Sequence, residues 1–227
     1  MQYVIFNKGW LFVSGYFRSF KTTSHVDTYI YNHSPFFHML YHSFSDDDRT
    51  TFFAAHGANV AIVVRETVDR AEAVADEIRS LGGKAAAVQA DVGGHASVQA
   101  AFAAAAAALG PVTLLVNNAG AGVDHDFREA APDLAASDAT IFLNLNAPIH
   151  LIAALMPVLK SRPEAMIVNV TSGLAIAPRA GGPVYCATKA ALRSYSQALR
   201  YQLKGTNVHV LEALLFHKQL QKQHMKF

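Results

Sequence analysis

Three side chains of the 227-residue chain are spaced so that they could move a proton together: Ser172, Tyr185 and Lys189. They lie in the stretch 165–189, AMIVNVTSGLAIAPRAGGPVYCATK. An apolar, β-branched run ends at Thr171-Ser172, a Gly/Pro-rich loop follows, and Tyr185 and Lys189 open an Ala-rich helix. Four residues are about one helical turn, so the phenol and the amine share a face. Ser172, at a strand end, can be folded back towards them. A phenol, an ammonium and a hydroxyl gathered at one point suit proton transfer to or from a substrate oxygen. Cys186, between Tyr185 and Lys189, reads as a small filler. As the only cysteine it excludes an internal disulfide, which fits a reducing, cytoplasmic setting.

The elements that must position these groups can be read from periodicity. Asn59–Val64 reads as a short buried strand, and Thr67–Leu81 as an amphipathic helix with Val68, Ala71, Val74, Ala75 and Ile78 on one face. Lys84–Ala90 is a strand leading to Asp91-Val92, and His95–Leu109 a helix closed by Gly110-Pro111. Val112–Val116 is a strand ending in Asn117-Asn118-Ala119-Gly120. A long helix, 135–160, precedes strand Ala165–Thr171, helix Pro183–Leu203 and strand Asn207–Leu211. Upstream, Phe52–His56 reads as the end of a helix stopped by Gly57. Apolar strands alternating with helices imply an α/β fold, a Rossmann-like doubly wound parallel sheet in a single domain. Ligands bind outside the carboxyl ends of such strands. Asp91, Asn118, Ser172 and the loop after Val64 all fall there.

At these residues, 52–213 resembles the short-chain dehydrogenase/reductase family. The matching motifs are Asn-Asn-Ala-Gly at 117–120, Asn144 within FLNLNAP, Ser172, and Tyr185-Cys-Ala-Thr-Lys189, in order and with Ser172 13 residues before Tyr185. The early part, HGANVAIVVRE through NNAG, is similar to the 3-oxoacyl-carrier-protein reductases. The resemblance implies an NAD(P)-dependent enzyme that moves hydride between nicotinamide and a small-molecule carbonyl or alcohol. Tyr185 would be the general acid/base, with Lys189 lowering its pKa from about 10 and holding the nicotinamide ribose. Ser172 would hold the substrate oxygen. Asn144 would keep a water in line with Lys189. Asp91-Val92 would meet the adenine ring, and Asn118-Ala119-Gly120 the adenosine ribose. Arg65, just after the second strand, suits a 2′-phosphate, so the implied cofactor is NADP, with NAD as the alternative. The long helix and the helix after it usually pair between subunits in this family, which implies a homodimer or homotetramer.

Both ends depart from the pattern. The family's first strand is followed by Thr-Gly-x-x-x-Gly-x-Gly, which receives the pyrophosphate. At the corresponding distance before Gly57 the chain reads MLYHSFSD, with no glycine, and Val13-Ser14-Gly15 matches that loop only by chance. Residues 1–53 hold 15 of the 23 aromatics and no alanine. Tyr3–Phe6 and Trp10–Val13 allow a weak hairpin, and Asp46-Asp47-Asp48 suits a helix cap. His25, His33, His38 and His42 lack the spacing of metal ligands, so no metal is expected. After the sixth strand the chain reads LLFHKQLQKQHMKF, without the family's seventh strand or substrate loop. Three segments follow: an atypical 1–51, the core 52–213, and a basic tail 214–227. The fold is expected to be incomplete, its first strand, glycine loop and last strand replaced or missing. Such ends point to a truncated or misassembled reading frame. They leave a second reading beside the oxidoreductase: a silent member of the fold with an interaction role or none. A formal charge of +2 gives no pull towards nucleic acid or membrane, and no unbroken run of 18 apolar residues predicts a spanning helix.

Overall fold

The computed structural model describes residues 3–7, 54, 58–128 and 133–215. Six strands form one sheet in the order β3-β2-β1-β4-β5-β6. They are β1 (Tyr3–Asn7), β2 (Asn59–Val64), β3 (Lys84–Gln89), β4 (Leu114–Asn117), β5 (Ala165–Ser172) and β6 (Val208–Leu215). The helices are α1 (Val68–Ser80), α2 (His95–Leu109), α3 (Leu134–Ile141), α4 (Ala147–Lys160) and α5 (Pro183–Gln202).

The alternation of strand and helix works as periodicity requires. Every residue of β5 is buried, because both sheet faces are covered. Ala165 and Ile167 join the core under α2, α4 and the end of α5, where Phe102, Leu151, Leu155 and Leu199 gather. Met166, Val168 and Val170, one step out of phase, join Ala71, Val74, Ala75 and Ile78 of α1 on the other face. β2 with β3, β4 with β5, and β5 with β6 are parallel.

The sheet is not parallel throughout. β1 lies at its centre and runs antiparallel to both neighbours, with Val4 opposite Ile62 of β2 and Val116 of β4. The partner expected for a hairpin, Trp10–Val13, lies outside the described residues. The strand fills the slot that a parallel first strand would take. Either direction satisfies backbone donors and acceptors, so the apolar run YVIFN carries no signal of its own polarity. Its direction has a consequence for the site. Tyr3 stands beside Val63, at the carboxyl end of β2, whereas Asn7 stands beside Asn59, at the opposite edge. The chain therefore leaves β1 on the side away from the ligand-binding edge.

The long helix of the sequence reading is interrupted. Between α3 and α4, Phe142–Asn146 form a π-helical turn, and Pro148 sits in the first turn of α4. The missing N–H of Pro148 is accommodated because the adjoining π turn already departs from regular α-helical bonding, with the Ala147 N–H reaching back to Phe142. By length and apolar character the whole helical stretch Leu134–Lys160 could cross a membrane, contrary to the expectation of no such segment. Here Leu151, Ile152, Leu155 and Leu159 are spent on the core of the sheet domain. β6 extends to Leu215, two residues past the expected end of the core. Ala54 is helical, as expected of its segment. The expected cap at 46–48, the loop-like 13–15, the histidines at 25, 33, 38 and 42 and the tail from 216 lie outside the described residues. Among the described residues no group of His, Cys, Asp and Glu could hold a metal ion.

Candidate active site

The four residues expected at the centre converge where β4, β5, the π turn and α5 meet. Lys189 is 3% exposed, and its Nζ donates to the carbonyl oxygen of Val170, 3.0 Å away. The same nitrogen is 5.8 Å from the centroid of the half-buried Tyr185 ring. Ser172 is buried at the end of β5, and its hydroxyl acts on the Tyr185 phenol, drawing its pKa down. Its Oγ also accepts from the Leu174 N–H at 3.2 Å, starting the 3₁₀ turn that bends the chain away from the strand.

Asn144 is fully buried in the π turn. Its carboxamide pairs with the backbone of Ala121 in both directions. Nδ2 donates to the Ala121 carbonyl at 2.8 Å, and Oδ1 accepts from the Ala121 N–H at 3.0 Å. Nδ2 also donates to Thr188 Oγ1 at 3.0 Å. One side chain thus fastens the loop after β4 to the helix that carries Tyr185 and Lys189. A π turn shifts side chains off the regular helical face, and such turns recur at functional sites. Below, a buried chain ties the same elements: Asn117 Nδ2 donates to Asn169 Oδ1 at 2.7 Å, and Asn169 Nδ2 to Ser196 Oγ at 2.8 Å.

Two glycines let the loop after β4 lie directly on Tyr185 and Lys189. A Cβ on Gly122 would be 2.9 Å from Tyr185 Cδ2, and one on Gly120 would be 3.1 Å from Lys189 Nζ and 3.4 Å from Asn144 Oδ1. Gly120 was legible from its motif. Gly122, Thr188 and the Asn117–Asn169–Ser196 chain were not, although Thr188 adjoins Lys189 and could have been suspected from that alone.

The electrostatics differ from expectation. The Tyr185 phenol is pushed above its ordinary value, first by burial, while the Ser172 hydroxyl draws it down, Cys186 adds to the rise and Arg179 opposes it. Removing a phenolate from water outweighs the favourable groups around it, so the lowering anticipated from Lys189 is not the net result. Cys186 is buried, its Sγ 3.9 Å from the Arg179 carbonyl, in keeping with a packing role.

The remaining expected residues lie along the same edge. Asp91 follows β3, its Oδ1 accepting from Gly93 N–H at 3.0 Å. Val92 is buried, and its carbonyl is 3.3 Å from His150 Nδ1. Asn118 and Ala119 are buried and Gly120 is open to solvent at the end of β4. Arg65 follows β2, exposed, and is ion-paired with its neighbour Glu66 at 2.6 Å. A nicotinamide dinucleotide would find polar partners for its two ends here: the fixed, accepting carboxylate of Asp91 and the bare backbone at Gly120 for the adenosine side, Tyr185 and Lys189 for the nicotinamide side. Between these ends the described residues offer no glycine turn. The element at that position is the start of β1, because that strand is reversed.

The chain is similar to known proteins in both sequence and fold. Residues 50–214 match the family model for the short chain dehydrogenases. The chain is 52% identical over 101 residues to the oxidoreductase DltE of Bacillus subtilis, a match spanning 44% of this chain and 40% of that protein. It is 34% identical over 163 residues to the 2,5-dichloro-2,5-cyclohexadiene-1,4-diol dehydrogenase LinX of Sphingobium indicum, covering 70% of this chain and 62% of that one. Among solved structures, a metagenomic short-chain oxidoreductase in complex with NADP superposes with a TM-score of 0.65 at 30% identity, over 73% of this chain and 74% of that one. The chain therefore spans about half the length of the curated relatives it matches. Family match, strand order and the gathered Asn144, Ser172, Tyr185 and Lys189 lead to one assignment: the chain belongs to the short chain dehydrogenase family of NAD(P)-dependent oxidoreductases.

Proposed function

We propose that this chain is an oxidoreductase that reduces a carbonyl, or oxidises the matching alcohol, with Tyr185 as general acid/base. The observation that carries the reading is the burial of Lys189 beneath the Tyr185 ring, with Ser172 buried at the strand end and acting on the phenol. A lysine buried to this degree is costly and gives no packing advantage over an apolar side chain, so its retention favours chemistry. The reduced nicotinamide supplies the hydride when bound. Ser172 holds the carbonyl oxygen, and Tyr185 delivers the proton to that oxygen as the carbon gains hydride. Lys189 steadies the phenol and the nicotinamide ribose. Asn144 fixes the loop and helix around Lys189 and, through the free lone pair of Oδ1, offers a seat for a relay water.

NADP is the cofactor proposed, with NAD as the alternative. Arg65 supports the choice, since a guanidinium at this strand end can pair with a 2′-phosphate once released from Glu66. Structures similar to this one carry NAD or NADP. A cytoplasmic homodimer or homotetramer, acting on a small molecule rather than on nucleic acid or membrane, completes the reading.

One observation favours a second reading. Because β1 is reversed, the position of the pyrophosphate turn is held by the start of a strand. On that reading the fold keeps the catalytic group but binds dinucleotide weakly and serves as an interaction module. Titration of the purified chain with NADPH, followed by fluorescence or calorimetry, separates the two. Saturable binding supports the oxidoreductase, and none at millimolar cofactor sinks it. Where binding occurs, Tyr185→Phe is expected to lower turnover by about 10²–10⁴-fold with affinity nearly unchanged. Full activity in that variant would overturn the role given to Tyr185.

A further inference from the structure

The loop of residues 121–126, which leaves β4, and the loop of residues 176–182, which enters α5, meet around the Tyr185 ring. Gly122 packs on one side of the ring, closely enough that an added Cβ would collide with it. Two residues on, Asp124 reaches across to Arg179 and forms an ion pair. Arg179 lies against Gly182, where a Cβ would be 3.1 Å from its Nε, and its carbonyl faces Cys186, next to Tyr185. The His125 N–H donates to the Gly181 carbonyl at 3.0 Å, joining the loops by backbone alone.

The ion pair does little as a brace. Its side chains are 46% and 63% exposed. Exposed pairs contribute about 0–1 kcal/mol, and the backbone bond already holds the loops together. As a recognition device it is well made. A guanidinium offers a planar fork of donors matched to a carboxylate. Arg179 is the sole charged residue in the loop of residues 173–182, and a carboxylate, that of Asp124, already rests on it. On the opposite loop Asp126 is taken up by Arg128, with two further bonds to the same carboxylate, so that pair has little charge to offer a ligand.

We propose that Arg179 determines specificity, selecting carbonyl or alcohol substrates that carry a carboxylate, such as 3-oxo acids. The substrate carboxylate takes the place of Asp124 on the guanidinium, and this anchors the molecule with its carbonyl towards Ser172 and Tyr185. Asp124 is the internal stand-in that keeps Arg179 extended between turnovers. The inference rests on the oxidoreductase reading and adds the substrate class to it. The charge of Arg179 also acts on the phenol, drawing it down against the effect of burial, which places the guanidinium within electrostatic range of the reacting centre.

The test uses a matched pair, acetoacetate and methyl acetoacetate, which differ in the charge. Initial rates with NADPH give the acid-to-ester ratio of kcat/KM, and calorimetry gives binding of each compound without turnover. The acid is expected to be preferred. Arg179→Gln should cut the acid-to-ester ratio by about 10–100-fold, the range of a lost charge-assisted hydrogen bond. Asp124→Asn should tighten acid binding by freeing the guanidinium. Equal rates for acid and ester, or an Arg179→Gln effect equal on both, would overturn the assignment while leaving the oxidoreductase reading intact. Arg179-dependent binding of acetoacetate with no turnover of either compound would do the reverse.

Discussion

Gly122→Ala tests the way the loop after β4 is built onto Tyr185. The added Cβ would lie 2.9 Å from Cδ2, 3.2 Å from Cγ and 3.3 Å from Cβ of Tyr185. Ordinary contact begins near 3.4 Å. The mismatch is therefore about half an ångström against a rigid ring, not against the end of a flexible chain. Gly122 is not among the glycines with positive φ, so alanine suits its backbone and the collision is the whole effect. The loop cannot easily yield, because Ala121 is paired twice with Asn144 and His125 is bonded to Gly181. Overpacking of this kind costs about 1–3 kcal/mol. For a domain of this size each kcal/mol lowers Tm by about 2–4 °C, so a fall of roughly 2–12 °C is expected. If the ring moves instead, the phenol leaves Ser172. A misplacement of about 1 Å costs about 10²-fold in rate, so half of that should cost roughly 10-fold in kcat. Thermal unfolding and initial rates with saturating NADPH read the two effects. A variant with wild-type Tm and wild-type kcat would refute the packing of this loop on Tyr185.

Three more expectations follow from the geometry. Tyr185 has its folded pKa raised, and Tyr195 does too, so both stabilise the native state fully below the ordinary phenol value near 10 and lose that contribution as pH rises through the folded values. Urea titrations across this alkaline range should show stability falling, and Tyr185→Phe should flatten the slope; an unchanged slope would count against the burial effect. Arg65→Ser should weaken NADPH relative to NADH by about 10-fold or more, the loss of a charged hydrogen bond, measured by competition calorimetry. An unchanged ratio would remove the case for NADP. Ile5→Pro deletes a backbone donor in a strand paired on both sides, to Ala61 and Leu115, and should lower the urea midpoint markedly. A wild-type midpoint would show that β1 contributes no stability at the centre of the sheet.

The parts of the molecule that were legible in sequence are those where one periodicity and one stop signal agree. α2 runs from His95 to Leu109 as read, because an alanine-rich run is closed by Gly110-Pro111 and Gly110 takes a positive φ. In α1, Ala71, Val74, Ala75 and Ile78 are buried as their spacing implies, and Val68, at the helix start, is only partly so. Ser172 at the end of β5 and Tyr185 in the first turn of α5 stand beside such signals, whereas Asn144 is marked only by the family motif FLNLNAP. What escaped is what periodicity does not encode. The apolar pattern runs unbroken through Phe142–Asn146, so nothing marked the π turn that aims Asn144 at Ala121. Strand polarity is likewise silent in YVIFN. For the Tyr185 phenol, the neighbouring amine is visible in sequence and the burial that raises its pKa is not. The Asp124–Arg179 pair spans 55 positions and belongs to no periodic element.

The reversed central strand also shapes how this chain can fold. Val4 must meet Ile62 and Val116, so the middle of the sheet joins residues far apart in sequence. Such contacts are slow to form, because long loops must close before any pairing repays them. The first strand made is therefore among the last to be seated. Until it arrives, β2 and β4 present facing rows of unpaired amides and carbonyls, a template that a strand of another molecule could fill equally well. Refolding yield should accordingly depend on protein concentration more steeply than in a sheet whose central pairings are local.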